Sequence, residues 1–310
     1  MSVSVLLTNL VGLFLLIGVG FVAARAHWIP ESASEPLTAL LMKITLPMTI
    51  FSSMIRPFDP GFLKSALTIF LLGLVFHTAY VILSWPLTRL FQVPLGRRGM
   101  WMECSSFCNN GFMGFPVAYA LFGDEGLSLA VALSIAFSML VYTVGAKLIA
   151  SDHQGEDGTP VSWRKVFLSP IDLAMGLGLV FYCTQIPMPQ AIMTPIEYLA
   201  DVTTPLSMIL TGMTLAHGKL FDALRDRDAV SASFVRLLLF PVLTWAAVLL
   251  LPVSDPLVIG VLLIIMAMPS PSLSVVMAEE YGGCVELGAR AVFDSSLLCI
   301  ITIPLVSLLL

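Results

Sequence analysis

The sequence predicts an all-α, polytopic membrane protein with ten transmembrane helices. Of its 310 residues, 58% are hydrophobic and only 11% are charged, a composition too apolar for a soluble globule. Apolar segments of roughly 20 residues, the length that crosses a bilayer, recur along nearly the whole chain. The charged residues stand mostly in short connections and form no basic block. We therefore expect the lipid bilayer as surroundings and exclude nucleic acid as a partner.

Ten candidate spans satisfy this length criterion. The first is preceded by no Lys or Arg and is followed by Arg25, so we interpret it as a retained span and not as a signal peptide. One sizeable polar connection, residues 151–166, divides the chain into two halves, residues 1–150 and 167–310. The predicted spans are residues 5–24, 36–55, 66–91, 99–122, 126–150, 168–187, 192–216, 229–251, 255–279 and 286–309.

Positive charge in the short connections predicts the orientation, because Lys and Arg are retained on the cytoplasmic side of a membrane. Most of these residues follow odd-numbered spans, whereas the connections after even-numbered spans carry only Arg56 and Lys64. Both termini are therefore expected outside the cytoplasm. Two halves with five spans each would lie in the membrane in opposite orientations, which is the inverted-repeat architecture of many secondary transporters.

Two spans contain residues that interrupt a helix, at corresponding places in the two halves. The fourth span contains an Asn-Asn-Gly stretch and a proline within residues 108–116, and the ninth contains Pro-Ser-Pro-Ser within residues 268–272. Backbone groups freed inside a bilayer survive only where they are buried in protein or line a wet cavity. Paired interruptions of this kind are a strong sequence indication of a transporter's solute site.

The side chains at these interruptions are candidates for binding a solute. The amides of Asn109 and Asn110 could contact the solute, coordinate a cation or cap a broken helix, and the sequence leaves these roles open. A proline leaves the carbonyl four residues earlier without its partner, and a half-helix N-terminus offers N–H groups to a carboxylate. The candidate solute-binding residues are Asn109, Asn110, Gly111, Pro116, Ser270, Pro271 and Ser272.

Charged residues inside spans need an explanation, because each costs at least about 2.5–3.5 kcal/mol at the middle of a bilayer. Asp294 in the tenth span either carries a transported proton or pairs with a cation such as Lys43 or Arg236. Glu103 starts the fourth span close behind two arginines, so we expect it in an ion pair at the cytoplasmic surface.

A second pair of similar motifs supports the division into halves. The Thr-Leu-Pro-Met stretch of residues 45–48 in the second span parallels the Thr-Thr-Pro-Leu stretch of residues 203–206 in the seventh. Thr45, Thr204 and Asp294 are the candidates for coupling to Na⁺ or H⁺. No cofactor and no metal site are expected.

The order and spacing of these motifs resemble the auxin efflux carrier family over essentially the full length. The resemblance is carried by residues 105–116, by residues 203–206 with Gly212, and by residues 268–283 with Pro304. Members are similar in fold to bile-acid sodium symporters. The resemblance therefore implies two inverted repeats of five helices, with broken helices four and nine crossing at mid-membrane around the substrate, and it allows a homodimer.

The expected function is secondary active transport of a small organic anion by alternating access, without catalysis. The resemblance implies a carboxylate such as malonate, malate or an auxin-like acid, and a place in the plasma membrane, the inner membrane of a bacterium. The alternatives are a sodium- or proton-coupled symporter of a non-carboxylate solute, and an anion channel. Proton symport through Asp294, sodium coupling through unwound carbonyls and export driven by the membrane potential all fit the sequence.

Overall fold

The computed structural model describes residues 3–152, 170–217 and 225–308, where the chain forms ten helices, two short 3₁₀ turns and no β-strand. We number the helices α1–α10 and write the halves of the two interrupted helices as a and b. The first five are α1, Val3–Arg25; α2, Ser34–Leu40, Leu41–Thr45 and Leu46–Met54; α3, Pro60–Leu90; α4a, Arg98–Ser106; α4b, Asn110–Gly114 and residues 115–122; and α5, residues 124–140, Val141–Gly145 and Ala146–Ala150. The others are α6, Pro170–Thr184; α7, Gln190–His217; α8, Arg227–Phe234, Val235–Leu239 and Phe240–Val248; α9a, Pro256–Met266; α9b, Leu273–Tyr281; and α10, Val285–Ser307.

Seven helical stretches in the described part of the chain are long and apolar enough to cross a membrane. Helices α6 and α9a are shorter apolar helices, and the stretch Leu95–Ala150 counts once although it contains both α4 and α5. An all-helical, polytopic protein is thereby confirmed, whereas the inverted relation of its halves stays a prediction. The predicted connection, residues 151–166, lies largely outside the described residues.

Local sequence explains where several helices start and stop. Helices α3 and α9a each start with an Asp-Pro pair, in which Asp caps the helix and Pro takes the first helical position. Asp59 and Asp255 accept hydrogen bonds of 2.8 and 3.0 Å from the backbone N–H two residues later. At Gly123, where φ is 67°, the helix Phe115–Leu140 divides, so we assign its two parts to α4b and α5.

The helices pack as two groups. Helices α1, α2, α6 and α7 contact mainly one another, and the remaining six form the second group. Within the first group α1 and α7 lie close together, because Gly20 and Gly212 face the backbone of the opposite helix, which a Cβ would overlap. Each half of the sequence contributes two helices to the first group and three to the second.

An ionic cluster holds the start of α4a against α8 and α10. Arg97 contacts Asp226 and Asp228 at 2.5 Å each, and Arg290 contacts Asp226 at 2.8 Å and Glu286 at 2.5 Å. Burial raises the pKa of Asp226, but hydrogen bonds from the two arginines outweigh burial, so its pKa lies below the ordinary value. The cluster thereby fixes one end of the interrupted helix α4.

Replacing Asp226 with asparagine should destabilise the protein at neutral pH, because both arginines lose the charge that they share. A carboxyl whose pKa is lowered by folding adds stability above its pKa in the unfolded chain, and this stability is lost as the pH falls through the folded value. The melting temperature of Asp226→Asn should therefore lie below the wild-type value at neutral pH, with a difference that shrinks below about pH 4. Thermal unfolding in detergent measures it, with Glu286→Gln at the exposed end of the cluster as control. If the difference in melting temperature between Asp226→Asn and the wild type were the same at every pH, the stabilising role of the Asp226 charge would be contradicted.

Candidate functional site

The two interrupted helices contact each other at their interruptions. The backbone N–H of Asn109, in the segment 107–109 between α4a and α4b, donates to the carbonyl of Pro269 at 2.8 Å. The side-chain Nδ2 of Asn109 donates to the hydroxyl of Ser272 at 3.1 Å. Both partners belong to residues 267–272, which separate α9a from α9b. Candidate residues from opposite halves of the sequence are thereby placed side by side.

The interruption in α4 lies at the N-terminal end of the predicted segment, residues 108–116. Residues 107–109 are non-helical, whereas Pro116 lies in the first turn of the α-helix that follows the π-helical turn Asn110–Gly114. Because Pro116 has no N–H, it leaves the carbonyl of Phe112 without its usual helical partner. That carbonyl accepts a hydrogen bond from the hydroxyl of Ser207 in α7. Pro116 therefore helps to join α4b to the other helix group.

The two adjacent asparagines differ in their contacts. Asn109 caps α4b, because its Oδ1 accepts a hydrogen bond of 3.1 Å from the N–H of Phe112. The Oδ1 of Asn110 accepts a hydrogen bond of 2.9 Å from the thiol of Cys108. Its Nδ2 is buried without a hydrogen-bond partner among the described residues. Asn110 thus presents an unused donor at the start of α4b.

The interruption in α9 is anchored to two further helices. The hydroxyl of Ser270 donates to the carbonyl of Cys104 in α4a at 2.7 Å, and the N–H of Ser270 donates to the hydroxyl of Ser295 in α10 at 3.0 Å. The carbonyl of Pro271 accepts a hydrogen bond of 3.0 Å from the N–H of Ser274, which starts α9b. The unwound segment is therefore held by specific polar contacts from both sides.

Arg236 of α8, which the sequence offered only as a partner for Asp294, links the ends of both first half-helices. Its side chain is fully buried; Nη1 donates to the carbonyl of Ser106 at 3.1 Å and Nη2 donates to the carbonyl of Met266. Both carbonyls lack their helical partners, because the N–H groups four residues later bond elsewhere. A helix C-terminus carries roughly half a negative charge, so one guanidinium offsets both ends.

Two carboxylates are buried without an ion pair to any described residue. Asp294 and Glu103 are both fully buried, and no basic side chain of the described ranges bonds to their carboxylate oxygens. Lys43 is exposed and Arg236 bonds to backbone carbonyls, so the pairing of Asp294 with either cation is wrong. The expected surface ion pair of Glu103 is also wrong, because α4a turns this side chain towards α5 and α9b.

Helices α2 and α7 contact each other next to the threonine motifs. The hydroxyl of Thr49, which directly follows the motif of α2, donates at 2.6 Å to the hydroxyl of Thr203, the first residue of the α7 motif. The hydroxyl of Thr45 lies 3.5 Å from a carbonyl of its own helix. Thr204 lines a cavity between α2, α4b and α7. The three candidates for ion coupling therefore lie on three helices: Thr45 on α2, Thr204 on α7 and Asp294 on α10.

A cavity of about 450 Å³ lies between α2, α4b and α7, and we call it the acidic cavity. It lies where α2 and α4b end and α7 begins, and the predicted orientation places these ends outside the cytoplasm. Three carboxylates of the lining give it a negative potential. The lining includes Thr49, Tyr119, Asp124, Glu197, Asp201 and Thr204.

Phe112, at the start of α4b, contacts the other helix group away from the acidic cavity. Its ring packs on a small apolar cluster that belongs to the other helix group. This cluster lies near the end of α1, the start of α2 and the end of α7, which are predicted to face the cytoplasm. The acidic cavity and this apolar contact therefore lie towards opposite ends of α7. The cluster consists of Ala24, Leu41, Leu210, Met213 and Ala216.

Comparison with known proteins points to membrane transport. The sequence profile of a family described as "Membrane transport protein" matches residues 5–307. An uncharacterized transporter of Methanothermobacter thermautotrophicus is 26% identical over 302 residues, which cover 97% of each chain. An uncharacterized transporter of Methanocaldococcus jannaschii is 25% identical over 297 residues, 94% of each chain. A protein of Rhizobium meliloti described as a "putative malonate transporter" is 24% identical over 309 residues, 94% of this chain and 91% of its own.

Proposed function

This chain belongs to the membrane transport protein family, which includes the auxin efflux carriers, and from that premise we propose that it is a secondary carrier of a small organic anion. The observation that carries the proposal is the contact between the two interruptions, at Asn109, Pro269 and Ser272. Interrupted helices are tolerated inside a bilayer where their backbone is buried or lines a site. We propose that α4 and α9 cross there as equivalent helices of an inverted repeat.

The proposed site lies at the N-termini of α4b and α9b. Backbone N–H groups at a helix start carry partial positive charge and can hold a carboxylate. The unpartnered Nδ2 of Asn110 adds a donor, and Arg236 offsets the negative ends of α4a and α9a nearby. The local field therefore favours an anion. The residues assigned to this site are Asn109, Asn110, Gly111, Pro116, Ser270, Pro271 and Ser272.

A small carboxylate is the substrate class that fits this site best. Two half-helix N-termini and a few amide donors suit one or two carboxylate groups and require no dedicated basic side chain. The relative from Rhizobium meliloti, by its description, supports malonate as the first substrate to test. Malate and auxin-like acids are further candidate substrates, because they also carry carboxylate groups. We place the carrier in the plasma membrane, the inner membrane of a bacterium, with both termini outside the cytoplasm.

Alternating access would come from movement of the two helix groups against each other. The acidic cavity lies at the predicted outer ends of α2, α4b and α7, and Phe112 packs on the apolar cluster at the predicted cytoplasmic side. To expose the site to the predicted cytoplasmic side, the ring of Phe112 must move out of the apolar cluster. The hydrogen bond from the Ser207 hydroxyl to the Phe112 carbonyl must also break. The substrate site between these two points would then become accessible from the predicted cytoplasmic side.

The acidic cavity favours a second candidate, a sodium- or proton-coupled symporter, including one for a non-carboxylate solute. Asp124, Glu197 and Asp201 would attract cations to the predicted outer entrance and repel free anions. In that case the ion would be coupled through Asp294, Thr45 or Thr204, which lie on three helices around the site. Coupling to a cation and transport of an anion are compatible in one carrier.

Electrogenic current distinguishes these functions. Rapid addition of malonate or malate to proteoliposomes containing the purified protein should give a saturable current, which Asn110→Ala should abolish because it removes the unused donor. Indole-3-acetate tests the auxin-like acids, and repeating the measurement with and without Na⁺ and at different pH values identifies the coupled ion.

The negative outcomes of this measurement are also informative. A conductance that did not saturate would indicate an anion channel. If the folded protein gave neither a current nor radiolabelled uptake with any carboxylate, the anion-carrier proposal would be wrong.

A further inference from the structure

Glu103 lies where a charged side chain is costly. It stands one turn before the end of α4a and is fully buried. Helix α5 approaches it at Gly145, where an added Cβ would lie 3.8 Å from the Cγ of Glu103. Helix α9b presents Ser274, in its first turn, to the carboxyl group. Glu103 is therefore enclosed by α4a, α5 and α9b, next to the proposed anion site.

No cation lies against this carboxylate among the described residues. Both carboxylate oxygens of Glu103 are buried, and the polar groups nearest to them are the hydroxyl of Ser274 and the thiol of Cys104. Cys284, ahead of α10, lies close to that thiol. A buried carboxylate whose neighbours are only a hydroxyl and a thiol is uncommon and needs an explanation.

The basic side chains that approach this region are engaged elsewhere. Arg97 binds the carboxylates of the ionic cluster, Arg98 donates to the carbonyl of Val93, and Arg236 donates to the ends of α4a and α9a. Lys147 at the end of α5 is exposed. An ionised carboxylate buried without a cation is strongly disfavoured, and such a group takes up a proton instead.

We infer that Glu103 and Ser274 form a proton-binding site that is coupled to the anion at the start of α9b, an inference that rests on the proposed function. Ionised Glu103 would occupy the positive end of α9b and compete with the substrate for it. Protonated Glu103 is neutral, leaves that end free, and has an O–H that can donate to Ser274. Proton binding and anion binding therefore strengthen each other, and this reciprocity is the basis of symport.

Asp294 on α10 provides a comparison, because it is also fully buried and its carboxylate oxygens make no hydrogen bond to any described residue. The glutamine and asparagine variants mimic the protonated acids in shape, so both proteins should fold. If Glu103 carries the coupled proton, Glu103→Gln should lose coupling but keep the exchange of substrate across the membrane. If Asp294→Asn lost the coupling while Glu103→Gln kept it, the coupled proton would belong to Asp294 and the inference would be overturned.

The test is malonate transport by the full-length protein in liposomes, with an imposed pH gradient and the membrane potential clamped at zero. Each coupled proton multiplies the accumulation ratio about tenfold per pH unit. Glu103→Gln should therefore lower the ratio about tenfold at a gradient of about one unit, while counterflow of radiolabelled malonate continues. Accumulation by Glu103→Gln at the wild-type level would overturn the inference, and so would loss of counterflow together with accumulation.

A second measurement separates failure of this inference from failure of the proposed function. If no carboxylate is transported, infrared spectroscopy still reports the C=O stretch of a protonated carboxyl group at neutral pH. The inference requires that this band lose intensity in Glu103→Gln relative to the wild type. An unchanged band in Glu103→Gln would overturn the proton site, whatever the substrate of the carrier.

Discussion

Replacing Arg236 with methionine is expected to abolish transport and to cause a large loss of stability. The guanidinium bonds to the carbonyls of Ser106 and Met266, at the ends of α4a and α9a. A hydrogen bond to a charged group contributes about 1.5–3 kcal/mol, so loss of both bonds should cost about 3–6 kcal/mol. Methionine fills a similar volume, which limits the contribution of a cavity to this effect.

The lysine variant separates charge from geometry. Arg236→Lys keeps the positive charge, but an ammonium on a flexible stem cannot reproduce the planar fork that reaches two helix ends at once. We expect intermediate stability and strongly reduced transport, because the two half-helices are no longer held in one arrangement.

Thermal unfolding in detergent and initial rates of malonate uptake measure both effects of the Arg236 variants. Arg89→Met is the matched control, since Arg89 is exposed and packs on the ring of Trp85 at 4.2 Å. If Arg236→Met melted and transported like Arg89→Met, the role assigned to Arg236 would be wrong.

Replacing Asn109 is expected to have the second largest effect, and the choice of substituent separates two roles. Asn109→Ala removes the cap of α4b, worth about 1 kcal/mol, and also the bond to the hydroxyl of Ser272. Asn109→Ser keeps a good capping group, but its short side chain cannot reach Ser272. We expect the serine variant to recover most of the stability and little of the transport, because the contact between the interruptions is still missing.

Melting temperature and the saturable malonate current, measured for both variants, provide this comparison. Full recovery of transport in Asn109→Ser would mean that Asn109 acts as a cap alone. Asn110→Ala, measured in parallel, removes a donor that makes no bond within the described residues, so it should affect transport more than stability.

Much of the architecture could be predicted because it depends on local properties. The length of an apolar stretch determines whether it spans a bilayer, and nearly every predicted span coincides with a helix of the structure. The prolines of residues 268–272 and the Asn-Gly stretch of residues 109–111 predict interruptions, because they disfavour a regular helix wherever it packs. The structure narrows the interruption in α4 to residues 107–109, at the start of the predicted segment 108–116.

The partners of individual polar residues could not be predicted in the same way. Arg236 binds backbone carbonyls, which every residue has, so no pattern of acidic residues marks its partners. Glu103 follows two arginines in sequence, yet the rotation of α4a turns it inwards, away from them. Asp294 was expected either as a proton carrier or in an ion pair, and only the packing of α10 excludes the pair.

Composition and local pattern alone establish an apolar, all-helical chain with two interrupted spans. This is possible because the length of an apolar segment and the backbone preference of its residues are properties of short segments. Tertiary packing decides that those interruptions touch, that one buried guanidinium joins two helix ends, and that two buried carboxyl groups form no ion pair with any described residue. The reason is distance along the chain. Such contacts join residues far apart in sequence, and their energies depend on how helices are rotated and placed against each other, which short segments do not determine.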